Sequence, residues 1–462
     1  MKPITNEAYK LIHDGCIALA EVEANGIRID TDYLHRAIDE TTKEIRTSEK
    51  NLLQHDIGKR WKKKYGSRFK WDAGDQLGDI LFNEMGYKPT SYTEKTHKPK
   101  TDEESLKSTG LEFVNDYITM KKLRKAKSTY LIGNLRETVN GFMHPFFDLH
   151  TPVSYRGSSS SPNFTNQPVR DPVIRKLVRQ AFIAREGGSI IEVDFKGAEI
   201  SGATCYHHDP NMIKYLENSK LDMHRDLAAQ IYMIKKREVY KDIRDCGKGM
   251  FIFPQFYGDY YLHCAESLWE AIDIFELHTP DGVGLKEHLK SKGVKKLGKC
   301  DPKQDPKKGT FERHLKEVEN DFWNNRFEVY QQWKWDWWNL YQDQGYLDTL
   351  TGFRLGGSLM NRKQAVNYPI QGTAFHWLLW SLIRIQKLLH KYKMKSLIIG
   401  QIHDSLVGDV PKRETKDYLK IVKQVITEDI FKHWKWICVP LNVEAEMTPV
   451  NGNWYQKEEV AI

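Results

Sequence analysis

Cysteine is scarce in this 462-residue chain, and the six present (Cys16, Cys205, Cys246, Cys264, Cys300 and Cys438) are scattered with no CxxC spacing. That argues against a disulfide scaffold or a zinc site and suits a reducing compartment. Long apolar runs are missing too. No stretch approaches the length needed to span a bilayer, and the N-terminus has no signal-peptide hydrophobic region, so a soluble, intracellular protein is expected. Acids fall short of bases, 62 against 70, leaving a net charge of +8. A basic surplus suits a polyanionic partner, although an unrelated soluble protein could carry the same balance. Aromatic residues are plentiful at 12%, so bases could be stacked as well as phosphates bound. The length exceeds one ordinary core and implies several subdomains.

Two distant segments stand out, residues 189–199 (SIIEVDFKGAE) and 398–408 (IIGQIHDSLVG). Each is a β-branched apolar run ending at a carboxylate, the pattern of a buried strand with an acid at its tip. Side by side, the strands would bring Asp194 and Asp404 together. Two close carboxylates in apolar surroundings repel, and require either a shared proton or a divalent cation. In a basic chain the cation is the more natural reading, as two Mg²⁺ bridging the aspartates to a phosphate. One acid at a strand end is usually structural; only the pair together with its intervening sequence is informative.

That intervening sequence resembles the polymerase core of family A (DNA polymerase I-like) DNA polymerases. The resemblance rests on the Arg156–Arg170 segment, then VRQAFI (178–183), VDFKGAEI (193–200), MHRDLAAQIY (223–232), FPQFYG (253–258), NYPIQGTA (367–374) and QIHDSLV (401–407), in the family's order. It covers nearly the whole chain. It implies an α+β right-hand architecture with an antiparallel-sheet palm, helical fingers and a helical thumb. It also implies deoxynucleotide addition to a primer 3′ end, with primer–template DNA and deoxynucleoside triphosphates as partners. Mg²⁺ is the implied cofactor, two ions with Mn²⁺ as a substitute. Asp194 and Asp404 would be the metal ligands, joined by the Phe195 carbonyl. Glu199 matches the glutamate whose bulk excludes a ribose 2′-OH, although a glutamate at that distance from a strand acid is commonly just a charge at a helix N-terminus. Arg156 matches a residue reaching the primer-terminal base along the minor groove, where acceptors are similar for every correct pair. Asn163, Asn166, Arg170, Asn367, Gln371 and His403 match other template or primer contacts. His224 matches a contact to the incoming phosphates.

The nucleotide-binding helix departs from the family pattern. There an Arg, a Lys, an aromatic and a Tyr-Gly recur every fourth residue, a slowly rotating stripe on an α-helix. Here Arg244 and Lys248 are four apart, as are Phe253 and Tyr257, but Lys248 and Phe253 are separated by five. On an unbroken helix the extra residue would swing the aromatics about 100° from the cations. A one-residue π-bulge between Gly249 and Phe253 is therefore expected, with Pro254 adding to the disturbance because it lacks the amide donor. Lys248 would hold the triphosphate and neutralise or protonate the leaving group. Phe253, in place of a tyrosine, predicts discrimination against dideoxynucleotides.

Resemblance and composition together divide the chain. Residues 1–30 lead into the palm, with Asn25-Gly26 read as a hairpin turn feeding a strand. Residues 31–130 form a thumb rich in Lys, Arg and aromatics, fit to track a duplex backbone, although without the family's order the same pattern reads first as a solvated face. A loop is expected from Gly86 to Lys100. Residues 131–206 are palm, with a long primer–template loop from His144 to Arg170. Residues 207–347 are fingers, carrying an insertion near 279–310 with a Lys-rich helix over Leu285 to Lys299 that reads as template or partner contact or as plain decoration. The Trp333–Trp338 helix reads as core. Residues 348–462 return to the palm, with a hairpin at Thr349–Arg354 and a last strand at Leu441–Met447. No exonuclease domain precedes the core, so proofreading would fall to a separate exonuclease or to other replisome proteins. That layout suggests a phage-encoded enzyme acting in the cytoplasm of a bacterial host. Single-subunit RNA polymerases also read His-Asp-Ser as at 403–405, but Glu199 should exclude ribose. A metal-dependent nuclease would not need the nucleotide-binding helix, and a non-catalytic clamp would not need both aspartates.

Overall fold

The computed structural model describes residues 2–89, 91–93, 96–169, 171–356 and 359–462, so Arg170 lies outside the described residues. The centre is a five-stranded antiparallel sheet: β1 (Gly188–Lys196), β2 (Leu397–Ile402), β3 (Ser405–Pro411), β4 (Asn442–Met447) and β5 (Glu458–Val460), ordered β2-β3-β1-β4-β5. β1 lies inside this order, and Ile190, Ile191, Val193 and Phe195 are all nearly fully buried. β-branched and aromatic side chains at these positions fit a pleated surface covered by packing. The expected last strand is present over Asn442–Met447, but β5 follows it and extends the sheet at that edge.

Helix Arg362–Lys391 packs against the sheet and against helix Asn6–Asn25. Its N-terminus is fixed by a reciprocal pair of bonds between Asn361 and Gln364, which satisfies two amides that would otherwise lack partners. Trp377, Leu378, Leu382 and Ile385 along it are fully buried, each side chain contributing on the order of 2 kcal/mol or more of hydrophobic stabilisation. Lys2–Pro3 pairs with the strand Phe353–Gly356 of the expected 349–354 hairpin, tying the N-terminus to this body.

Two further hydrophobic cores flank it. One gathers residues between Ala203 and Tyr330, including Leu227, Ile243, Phe251, Leu268 and Phe322. The other, built around Trp61, Trp71, Leu77, Phe113 and Tyr117, stands at the far end of helix Thr31–Gln54. That helix bridges cores, with Leu34 and Ala37 in the central one and Leu52 in the outer one. The six cysteines are free thiols. Among the described residues no helix is long and apolar enough to cross a membrane.

Several local expectations are corrected. Asn25-Gly26 is not a hairpin turn: Asn25 ends a helix, and Gly26 (φ 62°) caps it by donating to the Val22 carbonyl. The same left-handed chemistry that makes Asn-Gly a hairpin turn also ends helices, and a Cβ at Gly26 would fall 2.5 Å from the His144 ring. The Lys-rich helix runs only Leu285–Ser291, and the chain leaves it through Gly293 at φ 93°. The 144–170 segment is not all loop, since Phe146–Asp148 and Ser158–Ser160 pair as a small hairpin. Of the tryptophans at 333–338, Trp335 is exposed and covered by the Arg362 guanidinium at 3.4 Å, while Trp333 and Trp337 pack against cores.

Candidate active site

The sheet brings the two aspartates together. Asp194 pairs across the ladder with Ser405, and the Phe195 amide donates to the Asp404 carbonyl at 3.1 Å. His403 and Asp404 form the two-residue turn joining β2 to β3, with His403 at φ 49°. Histidine tolerates that left-handed region better than most residues, and the turn sets Asp404 at the tip of β3. At the end of β1, Gly197 takes φ 68° to turn the chain into helix Ala198–His207. Glu199 thus falls in the first turn of that helix, where its charge complements the helix dipole.

These groups line one cavity of about 380 Å³. Asp194, Phe195, Glu199, His403 and Asp404 line it together with Phe253, Tyr257, Asn367 and Gln371. Asp194 is open to solvent. Its carboxyl is nevertheless pushed up to about 7, first by burial of its surroundings and then by repulsion from Asp404. Asp404 is pushed up to about 6, again chiefly by burial, with Arg156 opposing. Arg156 stands 3.5 Å from Glu199 and 3.9 Å from Asp404. Burial and the Arg156 charge lower the His403 imidazole, favouring its neutral form. The Tyr257 hydroxyl donates to Glu199, and the Asn367 amide donates to the Tyr257 carbonyl at 3.3 Å. Glu199 is therefore held from two sides.

Above the cavity, the helix is α-helical over Lys241–Gly247, turns π-helical over Lys248–Ile252, and resumes over Phe253–Phe256. The Phe253 amide donates to the Lys248 carbonyl, five residues back. The expected bulge is present, and it brings the Lys248 ammonium 5.3 Å from the Phe253 ring centroid. Arg244 donates to Asp222 at 2.6 Å. His224 sits edge-on to Phe253 at 6.2 Å. Burial, with Arg244 and Lys248 adding repulsion, lowers His224 to about 4, so it is neutral at pH 7. Its Nδ1 is buried without a hydrogen-bond partner.

Not all the expected residues converge. Asn163 and Asn166 do not line the cavity. The Asn163 carboxamide instead caps the short 164–166 turn by accepting from the Asn166 amide at 3.1 Å. Other participants had no readable sequence signal. Met212, Phe256, Tyr330 and Ile370 supply an apolar wall from four separate helices. Behind the aspartates, the Ser405 hydroxyl donates to Glu192, whose carboxylate also takes bonds from Trp454 and Lys457. Asp222 was the exception: an acid opening a helix signals an N-cap, and it caps Met223–Ile231 while pairing with Arg244. Among the described residues, no group of three or more His, Cys, Asp or Glu side chains is arranged to hold a metal ion. The available donors are two mutually repelling carboxylates and a backbone carbonyl.

A five-stranded antiparallel sheet with an acid-lined cleft at its edge, flanked by two helical bodies, defines a right-hand polymerase architecture. The solved POL domain of Pol1 from M. smegmatis, in complex with DNA primer-template and dNTP, matches this structure with a TM-score of 0.73 at 20% identity, covering 95% of this chain and 69% of that one. Residues 32–272 and 321–456 match the model of DNA polymerase family A, and the chain belongs to that family. It is 28% identical over 408 residues to the DNA polymerase of Bacillus phage SP01, covering 83% of this chain and 40% of that protein. To the thermostable DNA polymerase I of Thermus aquaticus it is 25% identical over 455 residues, covering 96% and 47%. The chain thus spans less than half the length of these curated relatives.

Proposed function

We propose that this chain is a DNA-directed DNA polymerase, extending a primer 3′ end with deoxynucleotides on a template strand. The observation that carries this reading is the meeting of Asp194 and Asp404 at adjoining strand ends in a cavity that Phe253 and Tyr257 of the bulged helix also line. In this reading residues 1–30, 131–206 and 348–462 form the palm, 31–130 the thumb and 207–347 the fingers. The enzyme would work in the cytoplasm, of a bacterial host if phage-encoded, alongside other replisome proteins.

The carboxylate pair and the Phe195 carbonyl fit a hard divalent cation. Two acids held up at about 6 and 7 by burial and repulsion would be relieved by positive charge between them. Mg²⁺, with Mn²⁺ as a substitute, would when bound as an ion pair acidify the primer hydroxyl and offset phosphate charge. The chain's own groups do the positioning. In-line attack of the primer 3′-oxygen on the α-phosphorus forms one P–O bond as the bond to the departing pyrophosphate breaks. Arg244 and Lys248 suit the triphosphate oxygens, with Arg244 leaving Asp222 to do so. Lys248 neutralises or protonates the leaving group, and neutral His224 has an unpartnered ring nitrogen for a further hydrogen bond. Phe253 packs on the incoming nucleotide. Glu199, fixed by Tyr257 and Arg156, crowds the position of a ribose 2′-OH. Arg156, Asn367, Gln371 and His403 face the primer–template minor groove.

The test is primer extension with deoxynucleotides and, separately, ribonucleotides, comparing wild type with Asp404→Ala. Extension with deoxynucleotides alone, lost in the variant, is expected. Preferred ribonucleotide use would favour the RNA polymerase reading suggested by Ser405, and extension unaffected by Asp404→Ala would overturn the site.

A further inference from the structure

The family match leaves a gap at residues 273–320, and that gap holds a long lysine-rich stretch. Residues 285–308 carry nine lysines against three acids, a surplus of six where the whole chain has +8. Of the nine, Lys286 pairs with Asp273. The other eight are exposed and, among the described residues, without a carboxylate partner. Asp305, which could have served them, is taken by Arg313 and Lys316 from outside the segment.

A merely solubilising run would need no fixed shape, but this one is built in. Leu285, Leu289 and Val294 are buried in the same core as the bulged helix. The Lys295 amide donates to the Gly309 carbonyl and the Phe311 amide to the Lys296 carbonyl, each at 2.8 Å, so the two lysine-bearing stretches run side by side. Glu312, itself 5% exposed, accepts the Cys300 amide on both carboxylate oxygens and pins the loop between them. Lys295, Lys296, Lys307 and Lys308 are thereby held on adjoining backbone. Just ahead of the segment, Ile274 and Phe275 are 70% and 50% exposed, and the Leu285 amide returns to the Leu277 carbonyl at 2.9 Å.

We propose that residues 274–308 form a docking surface for unpaired template strand outside the primer–template duplex, with the lysines on its phosphates and Phe275 offered to its bases. Lysines carried on the same insertion as an exposed aromatic suit single-stranded nucleic acid, whose bases are free to stack; duplex would present only backbone. This inference rests on the polymerase reading above, and its test separates the two.

The full chain and the quadruple variant Lys295→Gln/Lys296→Gln/Lys307→Gln/Lys308→Gln are titrated with primer–templates of identical duplex and either a very short or an about 12-nucleotide template overhang. Equal urea midpoints establish that both are folded. On the long overhang the variant should lose about 2.8 from the slope of log affinity against log salt, about 0.7 for each phosphate contact removed. Raising salt fourfold then weakens wild type about 50-fold more than the variant. On the short overhang the slopes should coincide and primer extension should be equal. Matching slopes on the long overhang would overturn the proposal and leave the surface to another partner. A loss appearing only when the overhang is made duplex would overturn the single-strand assignment. If neither protein extends a primer on either substrate, the polymerase reading fails, and this inference with it.

Discussion

The π-turn at Lys248–Ile252 makes a prediction whose two arms point in opposite directions. The turn absorbs one residue more than a regular stripe of four-residue spacing would contain, and Gly249 is the natural surplus. It is exposed, and a Cβ there would meet no other atom within 4 Å. Deleting Gly249 leaves four steps from Lys248 to Phe253, so an uninterrupted α-helix would keep cation and aromatic on one face. Inserting one alanine after Gly249 adds about 100° of rotation; at an outer helix radius of 5–6 Å that sweeps a side chain by about 8 Å. Lys248, now 5.3 Å from the Phe253 ring, would leave that face. Losing a charge-assisted phosphate contact costs about 1.5–3 kcal/mol, or about 10- to 150-fold in kcat/KM. Single-nucleotide incorporation kinetics on matched primer–templates would measure both variants. The deletion should stay within a few-fold of wild type and the insertion should fall by the larger factor. An insertion variant with wild-type kcat/KM would refute the reasoning, as would a folded deletion variant as impaired as the insertion.

Glu199→Ala should admit ribonucleotides, raising their incorporation relative to deoxynucleotides by about tenfold or more through the removed steric contact, and an unchanged ratio would remove Glu199 from sugar selection. Phe253→Tyr restores a hydroxyl and should raise dideoxynucleotide incorporation by about 10- to 100-fold, the worth of one well-placed hydrogen bond, as read from chain-termination products. Asp404→Asn bears on pH. A folded-state carboxyl raised from 3.8 to about 6 holds its proton more tightly than the unfolded chain, so stability is greatest at low pH and is lost as pH rises from about 4 through about 6. In chelator at pH 8 the variant should be more stable than wild type by about 2–3 kcal/mol in urea melts, with the difference vanishing near pH 4; a variant less stable at pH 8 would show that the ionised acid is already satisfied.

What could be read in the sequence followed from strong local rules. Strands that end in acids, and a five-residue step where four were needed, each have a single geometric consequence, and the structure has both features. Failures came where one local signal serves two ends. Asn25-Gly26 can close a hairpin or cap a helix, and only the helical stripe of Ala8, Leu11, Ala18 and Val22 before it decides. The Lys-rich stretch over 285–299 was read as one helix, longer than the one that forms, because Gly293 takes a left-handed conformation just beyond its end. Asn163, matched to a DNA contact by its place in a motif, also caps its own turn through its side-chain oxygen, a role that the motif alone did not show. The apolar wall from Met212, Tyr330 and Ile370 could not be read at all, since nothing local links residues so far apart.

The most direct measurement of the central claim is Mn²⁺ binding by electron paramagnetic resonance to the full chain held with a dideoxy-terminated primer–template and the next deoxynucleotide. Two ions per chain are predicted for wild type, with Asp194→Asn or Asp404→Asn reducing that number. Binding that is absent, or that both substitutions leave unchanged, would contradict the assignment of these aspartates as the site of nucleotidyl transfer.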